Sequence, residues 1–344
     1  MSERRAARQA AETAARTARR PKRRRPLLVA LIATIGSLVG IATVVAVVAS
    51  VFVGGLARSF DTHTDTITDA FPAGERPTAT DGAENILLIG SDRRSSGDAD
   101  RTAGSRSDTL MLAHVPADRR AVYLMSIMRD SWVDVPGHGR AKINAAYAWG
   151  GVPLTVQTVE QLLDVRVDHV AEIDFTGFKG MTDALGGVTV DSGRAFSAGG
   201  HDFVAGANRL DGDAALAFVR ERYAFADADH TRVRNQQAFM RGVVNGLLSR
   251  GTVTDPGRIQ DFVTATSEHL AVDAGLSFPT LVGLGWSLRD VRTDDLTTFT
   301  VPTAGSGISP DGQSVVTLND LAVGSLSRAL RSDDVASWLA DNPQ

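Results

Sequence analysis

The sequence predicts an α/β fold, with a sheet covered by helices on both faces, preceded by one N-terminal transmembrane helix. Three observations predict it. An uncharged run extends from Leu27 to Leu56, short apolar runs typical of buried strands begin at residue 85, and helical spacings alternate with these strands. Neither an internal repeat nor a second linker interrupts residues 84–335, which indicates a single extracytoplasmic domain.

The N-terminal region predicts a membrane anchor. Residues 1–26 form a tail with ten Arg/Lys and two Glu, and residues 27–56 carry no charge. This span exceeds the roughly 20 apolar residues that cross a bilayer. It is also longer than the apolar core of about 7–15 residues in a cleaved signal peptide, so we expect a retained signal-anchor. The basic flank predicts a single-pass protein of the cell membrane, with a cytoplasmic N-terminus and residues after 57 outside.

Two smaller features accompany this anchor. Gly36 and Gly40 have the small-xxx-small spacing of paired transmembrane helices. Apolar spans often contain that spacing by chance, so a transmembrane-helix dimer stays open. Residues 57–83 are rich in Thr, Asp, Ala, Pro and Gly with weak periodicity, and they predict a linker.

Composition excludes several classes of protein. The chain has no cysteine, which excludes disulfides, thiolate nucleophiles and sulfur-ligated zinc sites. Its seven histidines show no metal-ligand spacing. Outside the basic tail, 26 basic and 38 acidic residues leave a charge of −12. A nucleic-acid binder normally carries a basic patch that raises the charge of its domain, so this body is predicted to bind no nucleic acid.

Short apolar runs and helical spacings predict the elements of the domain in order. Gly186 and Gly187 follow one predicted helix and suit a left-handed C-cap. The predicted strands are 85–91, 109–115, 121–127, 169–175, GVTVD and LTTFTVP. The predicted helices are 154–165, TGFKGMTDAL, 212–222, 231–250, 257–270, PTLVGLGWSLRDV and NDLAVGSLSRALRS, and residues 336–344 form a tail.

The first candidate site is the glycine- and serine-rich loop between the first two strands. Asp92 opens this loop and Asp108 closes it. Ligand sites in open α/β sheets commonly lie in loops beyond strand ends. Two carboxylates there could hold a hard cation such as Mg²⁺, which prefers oxygen ligands. Turn capping by the same aspartates is the simpler explanation when this loop is considered alone.

The second candidate site consists of basic residues at element ends. Arg129 directly follows a predicted strand, and Lys142 precedes a helix that begins near Asn144. Such positions suit anion binding. Strand ends also carry charge for solubility, so this feature is weak by itself.

The third candidate site is the segment FVRERYAFADADHTRVRNQQ, which contains four arginines and no lysine. Arg220 and Arg222 end one predicted helix, where the macrodipole already favours cations. Arg232 and Gln236 lie at i and i+4 on the next helix and share a face, whereas Arg234 points elsewhere. Two helix ends that meet at a loop would bring these groups together, and an anion would neutralise them. Arginine suits such a site because its fork meets two phosphate oxygens at once.

These segments, in this order behind one membrane span, resemble the LytR-CpsA-Psr family of cell-wall ligases, of the actinobacterial type. The resemblance covers roughly Glu84 to Ser332. Met128 departs from the proline usual in the family, and the loop after Asp92 looks longer than usual. Each motif is weak alone, but the ordered set is specific: LLIGSD, RSDTLML, SIMRD, KINAAYAWGG, DFTGFKGMTDALGGVTV, LDGDAALAFVRER and DHTRVRNQQ.

The resemblance implies a three-layer α/β/α sandwich with a mixed central sheet, and an apolar tunnel for a polyprenyl tail. It implies an Mg²⁺-dependent enzyme, with Mn²⁺ as the alternative metal held by Asp92 and Asp108. The residues that match the family's catalytic positions are Asp92, Arg106, Asp108 and Arg129. Those that match its pyrophosphate-binding positions are Arg94, Lys142, Arg220, Arg222, Arg232 and Gln236.

The implied reaction is a phosphotransfer. It attaches a polyprenyl-pyrophosphate-linked glycopolymer to a peptidoglycan hydroxyl and releases polyprenyl phosphate, with membrane lipid as a further partner. A hydrolase that uses water as acceptor would need the same site and stays the alternative. The acidic charge of the body argues against a transcriptional regulator. The intact carboxylates and arginines argue against a non-catalytic scaffold. The polymer and the choice of aspartate as base stay open.

Overall fold

The structure, a computed structural model, describes residues 47, 48, 50–92, 107–222, 224, 228–248 and 255–343. The chain divides into two compact units, residues 1–55 and residues 56–344. The described residues of the first unit are helical. Among all the described residues, no helix has the length and apolar character needed to cross a membrane. The predicted span 27–56 lies mostly outside them.

The second unit is organised around a mixed sheet of seven strands. The seven are β1 (Asp65–Ile67), β2 (Glu84–Ser91), β3 (Ser107–Val115), β4 (Val122–Ser126), β7 (His169–Asp174), β12 (Leu270–Asp273) and β13 (Leu296–Thr300). Their order across the sheet is β1-β12-β7-β2-β3-β4-β13. The pairs β1–β12, β2–β7 and β4–β13 are parallel, and the other three neighbouring pairs are antiparallel.

Helices cover both faces of this sheet. Along β2, Leu87 and Ile89 enter one apolar cluster, whereas Ile86 and Leu88 enter another on the opposite face, as the period of two in a strand requires. The helices are α1 (56–63 within this unit), α2 (Asn144–Leu163), α3 (Phe175–Ala184), α4 (Gly212–Arg220), α5 (Ala228–Leu248), α6 (Pro256–Ser267), α7 (Phe278–Ser287), α8 (Asp320–Arg331) and α9 (Val335–Asp341).

The two faces are covered by different helices. The first cluster contains residues of α2, α8 and α9, and the second contains residues of α5 and α7. The three-layer arrangement with a mixed sheet is therefore confirmed. Four two-stranded ribbons complete the unit, formed from β5 (Trp132–Val135) with β6 (Gly139–Lys142), β8 (Val188–Ser192) with β11 (Gly206–Leu210), β9 (Phe196–Ala198) with β10 (His201–Phe203), and β14 (Thr303–Ile308) with β15 (Ser314–Leu318).

Most predicted elements occur within a few residues of their expected bounds. Gly186 and Gly187 adopt the left-handed conformation that the sequence predicted, with φ of 71° and 93°. The helix predicted to begin near Asn144 and the helix predicted over 154–165 are joined in α2, with a kink between them at Gly150 and Gly151. The pyrrolidine ring of Pro153 then begins the second part, where its missing N–H is tolerated.

Two segments outside the predicted domain 84–335 are packed against it. Residues 57–83 are not a free linker, since Phe60 and Ala70 are buried and β1 pairs with β12 as the edge strand of the sheet. Residues 336–344 are not a free tail either, because Trp338 of α9 is buried and its indole N–H donates to Ser325 Oγ at 2.8 Å. Isolated buried apolar residues hold both segments against the domain. Because they are widely spaced among polar residues, they produce no clear periodicity.

Strand direction determines where the site lies. β2, β4, β7 and β13 run in one direction and β3 runs opposite to them. The C-terminal ends of these four strands and the N-terminal end of β3 therefore share one edge of the sheet. All the described candidate residues lie on elements that begin or end at this edge.

Candidate active site

A bulge in β3 presents Asp108 at this edge of the sheet. Gly90 pairs with Thr109 and Ser91 with Ser107, so Asp108 is the extra residue of β3 between these pairs. A bulge bends its strand and re-aims the side chain of the extra residue. Asp92 lies one position beyond Ser91 and is exposed. Both aspartates are therefore presented at the same end of adjacent strands.

Arg129 connects Asp108 to the turn that follows β4. Its Nη1 donates to Asp108 Oδ1 at 2.5 Å. Among the described residues, the buried Nε of Arg129 has no hydrogen-bond acceptor, and it lies 3.8 Å from Asp130 Oδ2. The guanidinium is thus held between two carboxylates, one on the bulge of β3 and one on the turn after β4.

That turn is fixed by packing and backbone hydrogen bonds. Met128 is buried in a small cluster with Val233 of α5 and Val316 of β15. The backbone N–H of Ser131 donates to Met128 O at 2.9 Å and closes the turn. A methionine is therefore accommodated before Arg129, in a turn closed by its own carbonyl.

Asp130 is the centre of the basic cluster. Its side chain lies 3.3 Å from Lys142 Nζ and 3.9 Å from Arg222 Nη2, in addition to Arg129 Nε. These cations come from the turn after β4, from β6 and from the residues after α4. Asp130 was not among the predicted site residues, although it is adjacent to Arg129. Three cations against the two carboxylates Asp108 and Asp130 leave this cluster with a positive formal charge.

The N-terminal half of α5 is tied to the same sheet edge by amide side chains. Gln236 Nε2 donates to Thr109 Oγ1 at 2.9 Å, next to Asp108. Gln237 Nε2 donates to Ser126 Oγ at 3.2 Å and Thr300 Oγ1 at 3.3 Å, at the ends of β4 and β13. Asn235 Nδ2 donates to the carbonyl of Phe218 in α4 at 3.0 Å. These bonds fix α5 against three strands and against the helix that carries Arg220.

The arginines of the third segment have different surroundings. Arg232 is 3% exposed and lies one turn before Gln236, whereas Arg234 is exposed and donates to Thr231 Oγ1. Arg220 is exposed at the end of α4, and its guanidinium lies 4.6 Å from the centroid of the Phe175 ring. Such a cation–π contact holds a guanidinium in place while leaving its N–H groups available.

A second buried carboxylate, Glu172, stabilises this edge of the sheet through hydrogen bonds. Glu172 of β7 accepts from Ser91 Oγ at 2.6 Å and from Tyr147 OH at 2.5 Å. It therefore links the end of β2, next to Asp92, to helix α2. Glu172 was not among the predicted site residues. A charge within the strand HVAEID was the available signal, but its partners lie 81 and 25 residues away along the chain.

The predicted site residues thus fall into three groups. Ion pairs connect Arg129, Lys142 and Arg222 to Asp130. Arg129 in turn connects Asp130 to Asp108. Asp92, Arg220, Arg232 and Gln236 lie on elements that end or begin at the same edge. Arg94 and Arg106 lie outside the described residues, so the structure does not place them.

The donor set at this edge is compatible with magnesium. Mg²⁺ is commonly held by one or two carboxylates together with phosphate oxygens and water, and Asp92 and Asp108 offer two carboxylates on adjacent strands. Within the described ranges, the structure contains no group of three or more His, Cys, Asp or Glu side chains that could hold a metal ion.

The fold and the site define a class of protein: an α/β domain whose sheet edge displays carboxylates and a cluster of basic groups suited to a phosphorylated ligand. The chain belongs to the LytR_cpsA_psr family, which it matches over residues 52–332. The family resemblance of the motifs is therefore confirmed.

Individual relatives agree with this assignment. The chain is 34% identical over 235 residues to the polyisoprenyl-teichoic acid–peptidoglycan teichoic acid transferase TagU of Enterococcus faecalis. This match covers 67% of this chain and 73% of TagU. The chain is 30% identical to the cell wall biosynthesis protein LcpA of Corynebacterium glutamicum, covering 70% of this chain and 54% of LcpA. The match thus spans about half the length of this second relative.

Solved structures share the fold. The structure of TagT bound to LI-WTA is 26% identical, with a TM-score of 0.57, and the match covers 76% of this chain and 98% of that one. The crystal structure of B. subtilis TagV gives a TM-score of 0.62 at 23% identity, covering 73% of this chain and 97% of TagV. The second likeness shows the fold alone.

Proposed function

We propose that this protein is a phosphotransferase of the cell wall. It takes a glycopolymer from a polyprenyl-pyrophosphate carrier, attaches it through phosphate to a hydroxyl of peptidoglycan, and releases polyprenyl phosphate. The observation that carries this proposal is the cluster of Arg129, Lys142 and Arg222 around Asp130, at a sheet edge that also displays Asp108. The name of the E. faecalis relative, a teichoic acid transferase acting between a polyisoprenyl carrier and peptidoglycan, supports the same reaction.

The proposed roles follow from the chemistry of phosphoryl transfer, in which positioning and charge neutralisation contribute most of the catalysis. The acceptor hydroxyl oxygen attacks the phosphorus next to the polymer, and the bond from that phosphorus to the carrier phosphate breaks. Arg129, Lys142, Arg222 and Arg232 neutralise the charge that develops on the leaving polyprenyl phosphate. Asp92 or Asp108 accepts the proton of the attacking hydroxyl.

Magnesium is proposed as the cofactor, held by Asp92 and Asp108. A bound Mg²⁺ supplies positive charge next to the pyrophosphate oxygens. The protein's own contribution is to present both carboxylates from neighbouring strands and to hold Arg129 against one of them. The hydrogen bond from Arg129 to Asp108 would keep a metal held by Asp108 beside the basic cluster.

The proposed location is the outer face of the cell membrane, with residues 27–56 as the anchor and the N-terminus in the cytoplasm. Support comes from the basic tail and the uncharged span of the sequence. A reporter that is active only outside the cytoplasm, fused after Asn342, is expected to be active. A stable but inactive fusion would contradict this location.

The test of the reaction is product analysis with the purified full chain in detergent. The assay combines a polyprenyl-pyrophosphate-linked glycopolymer, peptidoglycan and Mg²⁺. We expect polymer covalently linked to glycan, together with polyprenyl phosphate. Free polymer phosphate without linked glycan would identify the hydrolase instead, and unchanged donor in the presence of folded protein would contradict both enzymes.

A further inference from the structure

Helix α7 lacks the polar outer face of an ordinary surface helix. None of its ten residues, FPTLVGLGWS, is charged, and Phe278 is the one residue of this helix that is buried. Val282 is 48% exposed and Trp286 is 71% exposed. A helix on the surface of a domain in water normally carries polar or charged residues on its outer face.

Val282 and Trp286 continue a stripe of apolar side chains that begins at the buried Phe278. These three residues are four residues apart and therefore lie along one face of α7. Leu284, which lies on a different face, packs against the apolar cluster of the sheet. The stripe thus passes from the buried Phe278 to the exposed Val282 and Trp286.

One end of the stripe lies next to the N-terminal segment of the domain. The Phe60 ring of α1 packs against the Phe278 ring, with centroids 5.8 Å apart. Phe60 follows the predicted membrane span 27–56 by four residues, which is a rise of about 6 Å along a helix. Through the covalent chain, the stripe begins close to the point where that span would end.

The other end of the stripe has the chemistry of a membrane interface. The guanidinium of Arg289 lies 5.3 Å from the centroid of the Trp286 ring, and its Nη2 lies 3.5 Å from Asp290 Oδ2. Tryptophan is enriched at the level of the lipid headgroups. Arginine can extend its charged end towards phosphates while its stem lies along apolar surface. Charge therefore returns to the chain at the position where the apolar stripe ends.

We propose that the exposed end of the stripe, Val282 and Trp286, lies in the interfacial layer of the bilayer in which the chain is anchored. The occupant of this surface is lipid, and Val282 and Trp286 are inserted at the depth of the headgroups and upper acyl chains. This proposal rests on the proposed membrane anchor. It assigns a second, independent membrane contact to the folded domain itself.

The first experiment uses tryptophan fluorescence of the full chain reconstituted in vesicles of phosphatidylcholine and phosphatidylglycerol. Some of the lipid is brominated near the headgroup, so that it quenches indoles at that depth. Flotation of the vesicles reports separately on the anchor. We expect bromolipid to quench the emission of wild type and Trp286→Phe to lose most of this quenching. Trp149→Phe is the matched control, since Trp149 is also exposed, at 48%, and we expect it to keep the quenching.

The second experiment uses the absence of cysteine from the chain, which allows a single nitroxide label at Val282→Cys. In the same vesicles, we expect the label to collide more with oxygen, which concentrates in lipid, than with a water-soluble nickel chelate. A label at Val204→Cys, a valine of the same domain that is 58% exposed, is expected to show the reverse.

Three results would overturn the proposal. Equal nickel accessibility at both labels, with no bromolipid quenching of Trp286, would place the stripe in water. Shielding of the Val282 label from both oxygen and nickel at every protein-to-lipid ratio would mean that another part of this chain covers it. Shielding that disappears when the protein is diluted in lipid would mean a second copy. None of these readouts depends on catalysis, so failure of the proposed reaction would be recognised separately.

Discussion

Arg232 and Arg234 lie two residues apart on α5 and project to opposite sides of it, the first buried at 3% exposure and the second in solvent. At about 100° per residue, two positions differ by roughly 200° around a helix. The two positions therefore differ in what they require of the side chain. In the proposed pyrophosphate site, the buried Arg232 would supply the planar fork, whereas the exposed Arg234 needs to supply only a positive charge.

Arg232→Lys is expected to lower kcat/KM of polymer transfer by roughly 10- to 100-fold. It keeps the charge and removes the bidentate fork, and hydrogen bonds to charged groups contribute about 1.5–3 kcal/mol. Arg234→Lys is the matched control and is expected to change kcat/KM less than twofold. Equal activity of the Arg232 variant and wild type, or a greater loss from the Arg234 variant, would contradict the assigned pocket.

Asp92→Asn and Asp108→Asn are expected to reduce transfer strongly and to raise the Mg²⁺ concentration required for half-maximal residual activity. Each variant keeps the size of the side chain and removes one charged metal ligand. The measurement is a Mg²⁺ titration of activity. Asp134→Asn, at an exposed position of β5, is the control.

A different result would assign these aspartates to turn capping. In that case, both variants would lose about 0.5–2 kcal/mol of stability and remain active when assayed at low temperature. Loss of kcat in Asp108→Asn without a shifted Mg²⁺ requirement would instead mean that Asp108 acts by holding Arg129.

Asp130→Asn is expected to lower kcat/KM by up to about 10²-fold, because misplacement of catalytic groups by an ångström can have that effect. The carboxylate holds Arg129, Lys142 and Arg222 within 3.9 Å of its oxygens. Asp130→Glu keeps the charge and is expected to recover part of the loss. Wild-type kinetics in Asp130→Asn, with unchanged thermal unfolding, would show that Asp130 does not position these groups.

Sequence patterns predicted five of the seven strands of the central sheet, because these strands appear as continuous apolar runs. They did not predict β12 (Leu270–Asp273), a four-residue strand at the end of the predicted helix 257–270. They could not predict β1 (Asp65–Ile67), since a three-residue edge strand that is mostly exposed has no distinguishable pattern. The phase of Arg232 against Arg234 followed from helix geometry alone. Glu172 was missed because a buried carboxylate becomes recognisable when its partners are known, and Ser91 and Tyr147 are distant in the chain.

Two glycines of α5 are expected to respond to alanine in opposite directions. At Gly242 a Cβ would lie 2.5 Å from Thr189 O, whereas at Gly246 its nearest neighbour would be Leu185 Cδ1 at 3.5 Å. Gly242→Ala should therefore destabilise the protein by about 1–3 kcal/mol through overpacking against β8. Gly246→Ala should stabilise it by about 0.4–1 kcal/mol through reduced unfolded-state entropy. Thermal unfolding checks both, and destabilisation by Gly246→Ala would contradict the described helix packing.

His169 and Asp273 should make stability depend on pH. The hydrogen bond with Asp273, at 3.2 Å, raises the pKa of His169 above 6.5. Burial acts to raise the pKa of Asp273, but hydrogen bonds from His169, Val170 and Gly275 outweigh it and lower this pKa below 3.8. The stabilisation from His169 is thus complete below pH 6.5 and is lost as the pH rises through its raised pKa. That from Asp273 is lost as the pH falls below 3.8 through its lowered pKa.

The test compares thermal unfolding of wild type and His169→Gln across this range. We expect wild type to be the more stable of the two near pH 6. The difference should shrink steadily as the pH is raised to about 9. A difference that stays constant or grows over this interval would contradict a charged His169 in the folded protein.

The folded state of residues 57–83 limits how far the active site can reach. A free linker of this length could extend by about 90 Å, but here the segment ends in an edge strand and buried anchors such as Ala70. Under the proposed membrane anchor, the domain would lack a free linker of this length, and its reach would be shorter accordingly. A donor dissolved in the bilayer would then be met at a high effective concentration. The proposed transfer would use acceptor glycan that comes close to the membrane.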